Sequence, residues 1–300
     1  MSIKGSFKEV TSLTEQQEKA FIKELNKAYS AGYKDIKQKV NNFIADYGVD
    51  GKLSKVNSML YGRYQTLLKN IEKELSKIET LQTYQIKTFL KDAYELNYYG
   101  TGYALESNVG VKLNFAIIDR KQVAEMVNNP LMNIALSENK ANTRQQMRRI
   151  LTQAIVKGDG IQPTARKLRD RLEISGNKAT AITRTETTKV MSKARDSAMD
   201  HAEKMGLEMQ KEWVATLDKR TRDSHSRLDG DTIDRDKKFD NGLMYPGDSS
   251  GPAREVVNCR CTMIAVVKDL DKIRDEMNVY ENVLKYSSYE KWQVDRIFSK

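Results

Sequence analysis

Apolar residues recur at three- and four-residue steps through most of the first two hundred positions. Between 14 and 47, Phe21, Leu25, Ala28, Tyr29, Ile36, Val40 and Phe43 keep that spacing, which places them on one face of an α-helix. Thr14-Glu15-Gln16-Gln17 has the form of a capping box, so the helix is expected to begin there. The stretch "YGVDGK" interrupts the pattern. A second run, Val56, Leu60, Tyr64, Leu67, Ile71, Leu75, Ile78, Ile86 and Phe89, extends from about 53 to 97, a helix of about 65 Å if unbroken. Helices of that length are expected to form an elongated arm that needs a partner surface. "YYGTGYALESNVG" is read as a glycine-punctuated break. Helices are expected again over 119–128 and 137–157, the latter stopping at Gly158. Pro163 is placed to open a helix that ends near Ser175-Gly176, and a last one runs over 177–205 to Gly206.

After Gly206 the period changes. "EMQKEWVATLD" and "CTMIAVVKD" are rich in apolar and β-branched residues and read as strands, with Trp213, Ala215 and Leu217 sharing one face. Turn-forming stretches, "LDGD" and "FDNGLMYPGDSSGPA", lie between them. The tail reads as helical, with Trp292 and Ile297 as docking residues. The expected fold class is mainly α with a small C-terminal α+β module. Four segments are expected: a long-helix arm over 1–110, a basic helical region over 111–205, the α+β module over 206–267 and a helical tail over 268–300.

Charge changes the picture in the middle of the chain. The net charge is +10, yet residues 201–300 sum to about −1, so the surplus lies before them. It is densest over 144–195, where 13 Lys or Arg face 4 Asp or Glu. Arg144, Arg148, Arg149, Arg166, Lys167, Arg169 and Arg171 are the candidate contacts to double-stranded DNA, bound without sequence preference through its phosphates. The competing occupant of this basic face is an acidic protein surface. No stretch reaches the run of about 20 apolar residues needed to span a bilayer, and the N-terminus shows no apolar leader segment. The only two cysteines, Cys259 and Cys261, sit one residue apart, a poor disulfide framework, so synthesis in a reducing cytoplasm is expected.

Candidate chemistry gathers in "TLDKRTRDSHSRLDGD", 216–231, and in "NCRCT", 258–262. His225, Cys259 and Cys261 are nitrogen and sulfur ligands of the kind zinc takes, with Asp218, Asp223, Asp229 or water as a fourth. Paired C-x2-C spacing is missing, so no cofactor is expected to be required. A thiol nucleophile on Cys259 or Cys261 with His225 as base lacks a third group by motif. "GDSSGP", 247–252, has the look of a serine-protease nucleophile loop but no histidine in the expected context. Gly100-Thr-Gly102 has no phosphate-loop lysine in register. The polar stretch also has a purely architectural reading. Asp218 would accept backbone N–H groups at a strand exit, Arg220 would pair bidentately with Asp229 or Glu255, and Gly230 would permit a turn.

The ordered series "TRTETT", "WVATLDKRTRDSHSRLDG", "GLMYPGD" and "GPAREVVNCRCT" resembles the phage Mu F-like minor head proteins, or head morphogenesis proteins, over about 180–267. The residues that carry the resemblance are Arg184, Glu186, Asp218, Arg220, Thr221, His225, Asp229, Gly230, Asn258, Cys259, Arg260 and Cys261. Many members of that family have C-x2-C where this chain has Arg222 and His225, and His-Pro where it has Val256-Val257. Some members continue into a toxin or transferase domain, for which the short stretch after Val267 is expected to leave no room. The resemblance implies a structural, non-enzymatic virion component inside the head near the portal, with the portal, scaffold or major capsid protein and the packaged DNA as partners and a part in genome ejection. The alternative reading is a metal-dependent enzyme acting on nucleic acid, centred on His225, Asp218 and Cys259.

Overall fold

A computed structural model describes residues 2–48, 58–110, 112, 113, 115, 118, 120–276 and 286–298. Five helices come first: α1 (Ile3–Tyr47), α2 (Ser58–Val109), α3 (Arg120–Val127), α4 (Pro130–Lys157) and α5 (Ile161–Lys204). They are followed by β1 (Met209–Val214), α6 (Asp223–Ser226), β2 (Thr232–Asp234), α7 (Ala253–Val256), β3 (Thr262–Val267), α8 (Leu270–Glu276) and α9 (Tyr289–Phe298). The mainly helical fold with a small C-terminal α+β part is thus the one the periodicity predicts. Val56 and Asp119, and the side chains of Leu60 and Ile297, lie outside the described residues.

The helices are longer than their sequence signals imply, for reasons visible at each misread position. Thr14 does not cap α1. Its side chain is buried within the helix and its hydroxyl donates to the Val10 carbonyl at 3.0 Å, as Ser and Thr do mid-helix. Gly100 and Gly102 do not break α2. A Cβ on Gly100 would lie 2.5 Å from Val10 Cγ1, and one on Gly102 2.7 Å from the Phe115 ring. Both glycines are therefore points where the helix surface must be bare. Helix α4 begins at Pro130, seven residues before the expected start at 137, with Asn129 capping it by accepting the Leu131 N–H at 3.1 Å. Gly158, in the left-handed region at φ 69°, closes α4 as its sequence position suggests. Ser175-Gly176 does not end the next helix. Ser175 is held by Asn139 and Thr143, whose side chains reach its hydroxyl at 3.2 and 3.0 Å.

The chain divides into two compact units, neither of them one continuous stretch. Ala20–Lys87 and Asn129–Ile182 form a helical unit, with a core of Leu25, Ile36, Val40, Ile71, Leu75, Leu151 and Leu168 among others. Met1–Lys19, Thr88–Asn128 and Thr183–Lys300 form the other. It contains a three-stranded antiparallel sheet of order β2-β1-β3, with Trp213 opposite Met263 and Lys211 opposite Ile233. Strand β2 has no signal in the apolar pattern, since its Thr232 and Asp234 are exposed. Trp213 is fully buried, but Leu217 is 64% exposed and does not share its environment. Trp292 on α9 docks as expected: it is buried against Tyr99, Tyr103 and Tyr289, and its indole N–H donates to Glu106 at 2.7 Å.

Candidate functional site in the C-terminal module

The module that carries the motif series is built on α5. Thr188 Oγ1 donates to the Cys259 carbonyl at 2.6 Å, and the Asn258 N–H donates to Thr185 Oγ1 at 3.0 Å. "TRTETT" is therefore a clamp for "NCRCT". Asn258 takes a left-handed φ of 57°, which an Asn tolerates better than most residues. Gly247 sits against the same turn of α5. A Cβ there would lie 2.9 Å from the Lys189 nitrogen, and its φ of 82° also favours glycine. Arg184 reaches Glu18 at 3.6 Å and Lys189 lies 3.9 Å from Glu186, so both charged members of this helix motif sit in ion pairs.

The polar stretch is mostly architecture. Asp218 makes the bidentate pair, but with Arg260, at 2.6 Å on both oxygens. Arg220, expected to pair bidentately with Asp229 or Glu255, makes neither pair among the described residues. Its side chain is 76% exposed and approaches Asp218 at 3.8 Å, while its backbone N–H donates to the same carboxylate at 2.8 Å. The hydrogen bond from Arg260 first, and the Arg220 N–H second, hold the Asp218 carboxyl far below the usual range. Asp229 accepts the Ala215 N–H at 2.8 Å, and the Gly230 N–H donates to Trp213 O at 2.9 Å with φ 84°. The "GDSSGP" loop is a turn. Although burial opposes it, the N–H groups of Met244 and Ser250 hold the Asp248 carboxyl below its usual range.

Beneath this shell, α6 and the segment before β3 bring three side chains together. His225 Nδ1 lies 3.5 Å from Cys259 Sγ and 3.5 Å from Cys261 Sγ. These ligand atoms all fall within 4.8 Å of one another, and all three residues are buried. On its other edge His225 Nε2 donates to Glu255 Oε2 at 3.0 Å, and Ser224 donates to the same oxygen at 2.9 Å. Trp213 closes the group edge-on, 5.1 Å from the imidazole. Both cysteines are free. The hydrogen bond from Cys259, and then His225, lower the Cys261 thiol, and the same shared hydrogen bond and burial push Cys259 up. Asp218, Asp223 and Asp229, the candidate fourth ligands, are outside this group among the described residues.

The basic residues are mostly engaged. Arg144 holds Glu79 and Ser76, and Arg148 holds Glu72 at 2.6 Å. Lys167 pairs with Asp159 at 2.7 Å and Arg169 with Asp170 at 2.8 Å. Arg171 is half-buried, with its pKa lowered by burial, and donates to Thr143 at 3.3 Å. Arg149 and Arg166 are exposed and enter no ion pair among the described residues. Sequence reasoning missed Arg195, which counted toward the basic segment but is fully buried. It also missed Arg235, whose guanidinium spans Asp196, Asp200 and Glu203 at 2.8–3.1 Å. The i, i+4, i+7 spacing of those carboxylates on α5 was the available signal.

The model of the Phage Mu protein F like family matches residues 145–264. Minor head protein GP7 of Bacillus phage SPP1 is 30% identical over 292 residues, covering 90% of this chain and 91% of that protein. The NAD(+)--arginine ADP-ribosyltransferase EFV of Enterococcus faecalis is 31% identical over 218 residues, covering 71% of this chain but 45% of that protein. The uncharacterized protein YqbB of Bacillus subtilis is 30% identical over 135 residues, 43% of each chain. No solved structure matches.

Proposed function

The chain belongs to the phage Mu protein F-like family, the family of phage minor head proteins with a structural role in head morphogenesis, and on that premise we propose how it serves there. It is a non-enzymatic component of the head of a tailed phage, held inside near the portal. Its partners are the portal, scaffold or major capsid protein. The observation that carries the reading is the extent of the match to the SPP1 minor head protein, which takes in the helical first half of the chain as well as the motif module. No helix among the described residues is long and apolar enough to cross a membrane.

The non-enzymatic part of the reading is supported by burial. His225 and Cys259 are each 1% exposed and Cys261 is 5% exposed, so no imidazole or thiol of this group meets a macromolecular substrate. Asp218, which the nuclease alternative needs beside His225, is bound to Arg260 instead. The transferase name belongs to a protein of which this chain matches less than half. Packaged DNA is a further partner, met through Arg149 and Arg166, the two of the seven candidate residues that are exposed and enter no ion pair among the described residues. The test is quantitative mass spectrometry of purified procapsids and virions of the phage that encodes the chain. The expected result is its presence in the head fraction at a small fraction of the major capsid protein, with defective heads when the gene is deleted. Absence from both particles overturns the reading.

A further inference from the structure

We propose that His225, Cys259 and Cys261 form a binding site for one thiophilic divalent cation, zinc by its chemistry, which ties α6 to the start of β3. The inference stands on the geometry of these residues and is independent of where the protein resides. Zinc takes thiolate at about 2.3 Å and imidazole at about 2.0–2.1 Å in a tetrahedron, so two such ligands stand about 3.6 Å apart. Both sulfurs lie 3.5 Å from the one nitrogen, Nδ1 of His225. The imidazole is also held as a ligand is held. Its Nε2–H is committed to Glu255 at 3.0 Å, which leaves the Nδ1 lone pair directed at the two sulfurs. A carboxylate behind a metal-bound histidine fixes the tautomer and ring orientation and raises its basicity. Ser224 fixes that carboxylate in turn. No other His, Cys, Asp or Glu among the described residues joins the group, so water completes the tetrahedron.

The local architecture gives the ion a purpose. His225 lies on α6 and Glu255 on α7, helices of four residues each, far too short to persist on their own. The core they share is Trp213, Leu228, Phe239, Leu243 and Val256 with the two cysteines. A core that small gains from a crosslink, and metal bound only by the folded state adds its binding free energy to stability. Without an ion the same groups form a thiol–thiol–imidazole hydrogen-bond relay, and the two arrangements are separable by experiment.

The full chain, stripped with chelator under reducing conditions, is titrated with Co2+ as a spectroscopic probe. The expected result is thiolate-to-cobalt charge-transfer absorption with tetrahedral ligand-field bands, saturating at one ion per chain and lost on adding one equivalent of Zn2+. The same Zn2+ addition raises the melting temperature of the stripped protein. The wild-type spectrum decides the matter without any variant: no charge-transfer band at stoichiometric cobalt overturns the proposal and leaves the relay. One-to-one cobalt binding that persists in the Cys259→Ser/Cys261→Ser double variant, read by metal analysis after gel filtration, also overturns it, because another site then holds the metal.

Discussion

Arg195 Nε donates to Asn97 Oδ1 at 3.0 Å, in an environment where neither residue meets solvent. The rest of the guanidinium is shared between Thr262 Oγ1 and the Met263 carbonyl, each at 2.7 Å, and Thr11 Oγ1 at 2.9 Å. Phe7 stacks over it at 5.2 Å. One side chain on α5 thus holds α1, α2 and β3 with neutral acceptors alone. With no carboxylate to offset burial, its pKa falls to about 9.

Replacing Arg195 by Ala strands the Asn97 and Met263 oxygens in a cavity. The expected cost is about 3–5 kcal/mol in denaturant unfolding. Arg195→Met fills the space but leaves the same acceptors unpaired, so it should lie between Ala and wild type. An Ala variant as stable as wild type would show that the guanidinium contributes nothing net.

The Asp218 carboxyl stays ionised well below its ordinary 3.8 because of Arg260 and the Arg220 backbone N–H. A carboxylate depressed in the folded state stabilises above its unfolded pKa, and that contribution is lost as pH falls through the folded value. The contribution is therefore intact above about pH 4 and fades only in stronger acid. Arg260→Ala should move the Asp218 titration up toward 3.8 in carboxyl-detected NMR. Arg220→Ala keeps the backbone donor and should shift it far less. Equal shifts would contradict the assignment of the pair.

Lys211 is buried in β1, its ammonium on the Arg235 carbonyl at 2.7 Å and over the Phe239 ring at 5.5 Å. Burial lowers its pKa from 10.5 to about 8. Between those values the unfolded chain binds a proton that the folded chain does not, so this group adds stability as pH rises through that window. Wild type should gain stability relative to Lys211→Met from pH 8 to 10.5, read as a change in the difference between their unfolding free energies. A difference that stays flat across the window would mean Lys211 titrates normally.

Gly247 and Gly242 share a left-handed backbone, with φ of 82° and 81°, yet only Gly247 faces the α5 backbone. Gly242→Ala should cost about 1–2 kcal/mol from strain alone. Gly247→Ala should cost more, because Lys189 cannot move without bending α5. Thermal melts that rank the two in the opposite order would remove the close approach as the reason for glycine there.

For DNA, the charge reversal Arg149→Glu/Arg166→Glu should abolish weak duplex binding and flatten its salt dependence. Arg144→Glu/Arg148→Glu should instead lower stability, since those arginines hold Glu79 and Glu72. A salt titration in which wild type shows no binding at low salt would remove DNA as the partner of Arg149 and Arg166 and leave an acidic protein surface.

The helices were legible because Leu25, Ile36, Ile71 and Leu75 repeat with the period of the core they fill. Their ends were not, because Thr14, Gly100, Gly102 and Gly176 carry end signals that tertiary contacts override. The identity of the site residues was legible from the two cysteines and His225. Their orienting carboxylate, Glu255, was not, since it lies on a helix of one turn that has no periodicity to read. The choice of Arg260 over Arg220 as the partner of Asp218 depends on a contact 42 residues apart in sequence, which local pattern does not encode.

Glu9 on α1 accepts the backbone N–H of Tyr289, 280 positions later. The unit that contains both cannot close until α9 has been synthesised, whereas residues 20–182 hold everything the helical unit needs. During translation the helical unit can therefore close on its own residues while α9 is still missing, and Val10 already has Gly100 of α2 to pack against. The contact from Tyr289 to Glu9 is accordingly among the last that the emerging chain can make.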